Sequence, residues 1–88
     1  MKLKYQFVFQ PLGKTYMGVP VGESAKVFHG MLQLNEEGYD IVSMMTNEIS
    51  RDEIADKLLQ IYDTDRETAY SYIDEVVEYL KGEGVMME

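Results

Sequence analysis

The chain of 88 residues has no cysteine, no tryptophan and only one histidine. The absence of cysteine excludes disulfides, thiolate metal sites and cysteine nucleophiles. A single histidine has no second imidazole with which to form a metal site or a nucleophile–base pair. We interpret His29, between Phe28 and Gly30, as an ordinary strand residue. A small-molecule enzyme is the weakest alternative, and loss of an activity on substitution of His29 would revive it.

Basic residues are also scarce, with 8 Lys and Arg against 16 Asp and Glu and a net charge of −8. Such a charge repels phosphate backbones and anionic lipid headgroups, which disfavours nucleic acid and membrane as partners. No apolar run approaches the ~18 residues of a membrane-spanning helix. The N-terminal MKLKYQFVF is too short and too interrupted by lysine for a secretion signal. These features predict a cytoplasmic protein.

Phosphate-binding loops of the GxxxxGK or GxGxxG type are absent, because the 7 glycines are scattered. The acidic residues fall mainly on predicted helix surfaces, where a solvated face is the simpler interpretation than an acid–base pair. We therefore expect no catalytic residue, no metal and no cofactor. The 7 tyrosines and 7 methionines, taken as a set, favour a binding protein over an enzyme.

The first third of the chain has the composition of β-strands. Large residues alternate with a polar one over Tyr5–Phe9, a turn is indicated by Pro11 and Gly13, and β-forming residues follow over 15–19, which predicts a hairpin. After a second break at 20–24, residues Val27 to Gln33 are a third strand candidate that leads directly into a helix.

Three helices are predicted after this strand, each from a capping signal. Asn35 can cap the first helix, Ser50 and Glu53 form a capping box for the second, and Thr64 or Asp65 starts the third. The third helix carries its apolar residues at helical spacing and is suited to end at Gly84 in a left-handed conformation. The prediction is a single α+β domain over residues 1–88, with three N-terminal β-strands followed by a three-helix bundle.

A hairpin beside three helices is also typical of a winged helix, whose usual work is reading DNA. The predicted third helix is acidic, with Asp65, Glu67, Asp74, Glu75 and Glu78 against Arg66 and Lys81. This charge does not suit a DNA groove. A winged-helix-like scaffold or regulatory protein that acts through protein contacts is therefore the second hypothesis.

Three groups of residues, in this order and spacing, resemble the PqqD-like family, also called RiPP recognition elements. They are Leu34-Asn35-Glu36-x-Gly38-x-x-Ile41; Ile49-Ser50-x-x-x-Ile54-Ala55-x-x-Leu58 with Tyr62 and Asp65; and Val76, Tyr79-Leu80 and Glu83-Gly84-Val85. The resemblance covers Leu32 to Val85 well and the hairpin loosely. It implies a non-catalytic peptide chaperone of natural product biosynthesis. Such a protein binds the leader segment of a ribosomally synthesised precursor peptide and presents it to a maturation enzyme, often a radical-SAM protein.

In this family the leader adds as a further strand to the third strand, and its apolar side chains enter a groove against the third helix. The resemblance therefore implies peptide-binding residues on the strand and on the helix, namely Val27, Phe28, His29, Met31, Gln33, Tyr70, Ile73, Asp74 and Val77. Alternation alone leaves open which face of the strand lines the groove. Phe28 shares a face with Leu32 and Leu34, which favours a core position. The open edge could also pair with a second copy to form a homodimer.

Overall fold

The structure, a computed structural model, describes residues 1–87 and contains a three-stranded sheet and four helices. The strands are β1 (Phe7–Leu12), β2 (Thr15–Pro20) and β3 (Leu32–Leu34). The helices are α1 (Ser24–Val27), α2 (Glu36–Met44), α3 (Arg51–Ile61) and α4 (Arg66–Glu83). This confirms the predicted α+β class, with one short helix in addition to the expected three.

The sheet is antiparallel throughout and has the order β1-β2-β3. Leu12 pairs with Thr15, so Gly13 and Lys14 form a two-residue turn, and Gly13 has the positive φ of 67° that such hairpin turns require. Pro11 lies within β1, where an edge strand tolerates its missing N–H. Because β2 is central, β1 and β3 are the two edges of the sheet.

The first two long helices begin at the predicted caps. The Asn35 side chain accepts a hydrogen bond from the Gly38 amide at 2.8 Å. Ser50 and Glu53 form the reciprocal capping box, with each side chain bonded to the backbone amide of the other. These local interactions fix where α2 and α3 begin, independently of the rest of the fold.

Helix α4 is closed at both ends by local interactions as well. Asp65, and not Thr64, caps its N-terminus. Gly84 follows its last residue with a φ of 73°, and the Val85 amide donates to the Leu80 carbonyl at 3.1 Å. Gly84 thus has the predicted left-handed conformation, and the amide hydrogen bonds of Gly84 and Val85 form a Schellman arrangement that buries Val85 beside the end of the helix.

The hydrophobic core lies between one face of the sheet and the three long helices. Its fully buried large side chains come from β3, from all three of these helices and from the segments that flank them: Leu32, Ile41, Val42, Met45, Ile54, Leu58, Ile73, Leu80 and Val85. Aromatic residues extend the core under the hairpin, where the Tyr16 and Tyr39 rings stack with centroids 4.1 Å apart. Both leucines of β3 are therefore anchored in the core.

The N-terminal segment connects the ends of the helices. The Leu3 amide donates to the Met45 carbonyl at 3.0 Å, and the Lys4 amide donates to the Val85 carbonyl at 2.8 Å. Leu3 also forms an isolated antiparallel bridge with Met86. These contacts hold the segment after α2 and the segment after α4 against one strand-like piece of chain.

The prediction of a strand from Val27 was wrong, because β3 contains only residues 32–34. Val27 ends the one-turn helix α1. Phe28 is half-buried; its ring stacks on Tyr5 at 5.7 Å and meets Phe7 edge-on at the same centroid distance. β2 pairs with β3 only over Tyr16–Gly18, although β2 itself continues to Pro20.

Among residues 1–87, no helix is both long enough and apolar enough to cross a membrane.

Candidate functional site

Strand β3 has one free edge, because β2 pairs with its other side. Leu32 and Leu34 point into the core, whereas Gln33 between them is exposed. The Gln33 amide donates away from the sheet, to the Tyr79 hydroxyl at 2.9 Å. The backbone hydrogen-bonding groups of successive residues in a strand point to opposite sides. The backbone N–H and C=O groups of Leu32 and Leu34 therefore face β2, and those of Gln33 face the open edge. An added strand would therefore bond to Gln33.

A groove runs beside this edge and is closed on its far side by α4. It encloses about 220 Å³ and is lined by residues of β3, of the start of α2 and of one side of α4: Gln33, Leu34, Asn35, Glu37, Gly38, Tyr72, Glu75, Val76 and Tyr79. Two tyrosines, one valine and the edge of Leu34 give it an apolar floor. The combination of an open strand edge and an apolar groove is the arrangement used in β-augmentation.

Both charged side chains that line the groove are acidic. Glu37 and Glu75 line it, and the four ion pairs of residues 1–87 all lie elsewhere in the molecule. The carboxylates of the groove are therefore available to a ligand, and with the net charge of −8 they favour one that carries Lys or Arg.

A larger cleft of about 830 Å³ lies at the C-terminal end of α4, beside Lys4, Lys81, Gly84, Met86 and Met87. It borders the N-terminal segment, where Lys4 and Met87 are already engaged in backbone hydrogen bonds with neighbouring segments. Volume alone does not make a peptide site, and this cleft lacks the free strand edge of β3. The smaller groove is therefore the better candidate.

A family model described as "Coenzyme PQQ synthesis protein D (PqqD)" matches residues 20–86, which include β3 and all three long helices. The chain belongs to the PqqD family. The matched range covers both walls of the groove and begins at the end of β2, so the hairpin is its less typical part.

The fold of this PqqD-family protein is also that of a solved structure, "TbiB1 in Complex with the TbiA(beta) Leader Peptide". The two superpose with a TM-score of 0.72 over 100% of this chain and 98% of the other, at 17% sequence identity. At this identity the similarity concerns the fold. No curated protein matches the chain in sequence.

The helix wall of the groove differs from the predicted one. Tyr70 and Asp74 lie on the opposite side of α4, against α3: the Arg51 guanidinium donates to Asp74 at 2.9 and 2.8 Å and lies 4.0 Å from the Tyr70 ring centroid. Ile73 and Val77 are buried in the core. The predicted helix residues therefore lie on the α3 side of α4 or in the core, and they do not line this groove.

The strand residues of the predicted site are placed in three ways. Gln33 lies at the open edge, as expected. Val27, His29 and Met31 precede β3 and are exposed, with His29 Nε2 3.1 Å from the Lys26 carbonyl oxygen. Phe28 is held in the aromatic cluster under the hairpin. Among these residues, only Gln33 lines the groove.

Sequence reasoning missed Tyr72, Glu75, Val76 and Tyr79 as groove residues. Tyr72 and Tyr79 are seven positions apart, which places them on one side of a helix, and the printed sequence contained that signal. Among residues 1–87 there is no group of three or more His, Cys, Asp or Glu side chains that could hold a metal ion. The chemistry available in the groove is hydrogen bonding, apolar contact and attraction of positive charge.

Proposed function

We propose that this protein binds the leader segment of a ribosomally synthesised precursor peptide as an added strand on β3 and presents it to a separate maturation enzyme. The observation that supports this function best is the free edge of β3 beside the groove of α4. Membership of the PqqD family supports the same role, and so does the leader peptide bound by the structural neighbour TbiB1.

In this proposal the Gln33 N–H and C=O form ladder bonds with the leader, and alternate leader side chains enter the groove. Their contacts would be Tyr72, Val76 and Tyr79. Because β3 has three residues, the ladder is short, and each bond contributes only ~0.5–1.5 kcal/mol net. Burial of two or three large side chains at ~1.5–3 kcal/mol each must offset the ordering of the peptide. We expect a micromolar Kd, about −8 kcal/mol.

The acidic groove adds a charge preference to this binding. Glu37 and Glu75 attract Lys or Arg of the leader, and these contacts are exposed enough to be screened by salt. Leader affinity should therefore fall as ionic strength rises, and replacement of the leader's basic residues by neutral ones should weaken binding and reduce its dependence on salt.

The protein itself would perform no chemistry. The enzyme that receives the peptide would be a separate protein, and the family resemblance implies that such an enzyme is often a radical-SAM protein. It would act on the part of the precursor that extends beyond the groove. The free edge of β3 is also where a second copy could pair, so a leader and a homodimer would compete for the same backbone groups.

The test is an amide-shift titration of the labelled protein at low and moderate salt. The ligands are leader segments of short precursors encoded beside the gene, together with the TbiA(beta) leader peptide. We expect saturable shifts at Leu32–Leu34 and on the groove side of α4 at Tyr72, Val76 and Tyr79. The amides of Tyr70 and Asp74, on the α3 side of the same helix, are internal controls that should move little.

Two results would contradict the proposal. If none of the leaders produced saturable shifts, the protein would not be a peptide-recognition domain. The second hypothesis, a scaffold or regulatory protein, would then be tested by a search for its protein partner. Saturable shifts confined to the α3 side of α4 or to the free edge of β1 would place the peptide elsewhere.

A further inference from the structure

We propose that Tyr79 is a gate on the β3 edge. Its hydroxyl accepts the hydrogen bond of the Gln33 amide, which a leader carbonyl would have to accept instead, so a leader binds only by displacing the Tyr79 hydroxyl. This inference rests on strand addition to β3 as the function. Tyr79 would then set how strongly a peptide must bind before the hydrogen bond between Gln33 and Tyr79 breaks. The gate is part of the chain itself and is present in the free protein.

The geometry makes the Tyr79 hydroxyl a substitute for a peptide carbonyl. Its oxygen lies 2.9 Å from the Gln33 nitrogen, the usual distance of an N–H···O bond between strands. Gln33 is opposite Met17 on β2 but directs its N–H to α4. The hydroxyl therefore accepts from the one strand amide of β3 that faces outward.

One N–H group makes one good hydrogen bond. A leader carbonyl would also have to lie about 2.9 Å from the Gln33 nitrogen and in line with its hydrogen, which is the position that the Tyr79 oxygen occupies. A shared bond would be longer and bent for both acceptors. Entry of the leader therefore requires the Tyr79 side chain to turn away from β3.

Tyr79 is free to make this movement. It is 36% exposed and lies near the C-terminal end of α4, bordering the open volume of the groove. Tyr70 on the other side of α4 is different, because its hydroxyl donates to Asp52 and accepts from Arg66, and the Arg51 guanidinium lies 4.0 Å from its ring centroid. Turning Tyr79 breaks a single hydrogen bond, and its ring can then cover a side chain of the bound leader.

The gate would protect an exposed strand edge. An unpaired edge invites pairing with any extended chain, including a second copy. The Tyr79 hydroxyl already accepts from the outward amide of Gln33, so an extended chain gains less by pairing with β3. Only a peptide whose side chains also fill the groove gains enough binding free energy to displace the hydroxyl. Tyr79 would thus favour a matched leader over nonspecific strands.

The test is Tyr79→Phe, which keeps the ring and removes the acceptor. In the free variant the Gln33 amide should exchange with solvent about two- to tenfold faster, since one modest hydrogen bond is lost. Calorimetry with the leader of the precursor encoded beside the gene, and with the TbiA(beta) leader, should show affinity about two- to tenfold tighter than for the unmodified protein. Tyr5→Phe, which removes a hydroxyl beside Phe28 and outside the groove, should change neither quantity.

The outcomes separate the gate from the function. Leader affinity that is unchanged or weaker in Tyr79→Phe, with shifts still mapping to β3, overturns the gate and leaves strand addition in place. An unchanged exchange rate of the Gln33 amide overturns the gate whatever the peptide does. No binding of either leader to either form overturns the proposed function and the gate together.

Discussion

Helix α4 has two sides that contact neighbouring elements, and they are built differently. The side against α3 is closed by polar pairs: Arg51 bonds to Asp74 and Arg66 to Asp56, and both guanidinium groups lie near the Tyr70 ring. Both arginines on that side therefore have carboxylate partners within the chain. This side holds two helices together and offers little to a ligand.

The side of α4 against β3 is open. A single hydrogen bond, from the Gln33 amide to Tyr79, crosses a groove of about 220 Å³, and Glu37 and Glu75 line it. The difference shows that tyrosines and acidic residues on one helix have a structural role on one side and are available for binding on the other. The two sides differ in whether the tyrosines and carboxylates already have hydrogen-bond or ion-pair partners within the fold.

The largest effect should come from removing the outward amide of β3. Gln33→Pro deletes the N–H and places a ring where an added strand would lie. The leader carbonyl is then left without its donor, and we expect a loss of about 3 kcal/mol, or more than about 100-fold in Kd. Leader titration by calorimetry measures this. The fold should persist, because this amide does not bond to β2 and an edge strand tolerates proline.

Asp74→Ala is the matched control for that substitution, since it alters only the α3 side of α4. It should leave leader affinity within about twofold, while circular dichroism shows both variants folded. Equal losses of affinity in the two variants would mean that the leader does not use the β3 edge.

Two tyrosine substitutions on opposite sides of α4 should have different effects, one mainly on stability and the other mainly on leader binding. Tyr70→Ala removes a half-buried ring with its guanidinium contacts and its hydrogen bond to Asp52, and should lower the free energy of unfolding by about 2 kcal/mol with leader affinity unchanged. Tyr72→Ala should weaken leader binding and alter stability less. Urea unfolding and calorimetry on both variants measure the two effects. The opposite pattern would restore the sequence-based choice of Tyr70 as a groove residue.

The helices could be predicted because their ends are specified locally. The capping box of Ser50 and Glu53 and the left-handed Gly84 each involve residues within a few positions of one another. Such interactions are the same in a short peptide as in the folded chain, and a sequence shows them directly. For the three long helices, only the choice between Thr64 and Asp65 as cap of α4 required the structure, whereas the one-turn helix α1 was not predicted.

The strand was predicted too long because a strand needs a partner that the sequence does not specify. Residues from Val27 to Met31 have suitable composition, but the Phe28 ring packs between Tyr5 and Phe7 and draws this segment away from β2. Here a tertiary contact outweighed β-propensity.

The helix residues chosen from the sequence differ from those that line the groove for a related reason. Helical spacing identifies the buried stripe of α4, including Ala69, Ile73 and Leu80, but Tyr70 and Tyr72 flank that stripe on its two sides. Which flank meets β3 depends on how α3 packs, and that is tertiary information.

A smaller effect is expected at the junction between α2 and the end of α3, which is another closed polar contact. The Tyr62 hydroxyl donates to Asp40 at 2.5 Å, and burial together with this bond raises the pKa of Tyr62. The unfolded tyrosine ionises near pH ~10, so the stability it contributes is present below that pH and is lost as pH rises toward the higher folded pKa.

Tyr62→Phe should therefore lower the free energy of unfolding by about 1 kcal/mol at pH 7–9, and the difference from the unmodified protein should shrink above pH ~10. Urea unfolding of both proteins between pH 7 and pH ~11 measures this, and comparison of the two cancels the other tyrosines. If this difference in the free energy of unfolding stayed constant to pH ~11, the hydrogen bond that the Tyr62 hydroxyl donates to Asp40 would not be the source of the stability.

The smallest effect should come from Asp74→Asn on the closed side of α4. The hydrogen bonds from Arg51 lower the pKa of Asp74, so the stability from this pair is present above the unfolded pKa near ~3.9 and is lost as pH falls through the folded pKa. The pair is exposed to solvent, so its contribution at pH 7 is small and screened by salt. Urea unfolding should show a small difference at pH 7 that shrinks as pH falls below the unfolded pKa of the carboxyl group. If the difference survives in acid, the charge of Asp74 is not what joins α3 to α4, and the contact of Arg51 with the Tyr70 ring, which acid does not alter, must hold that side closed.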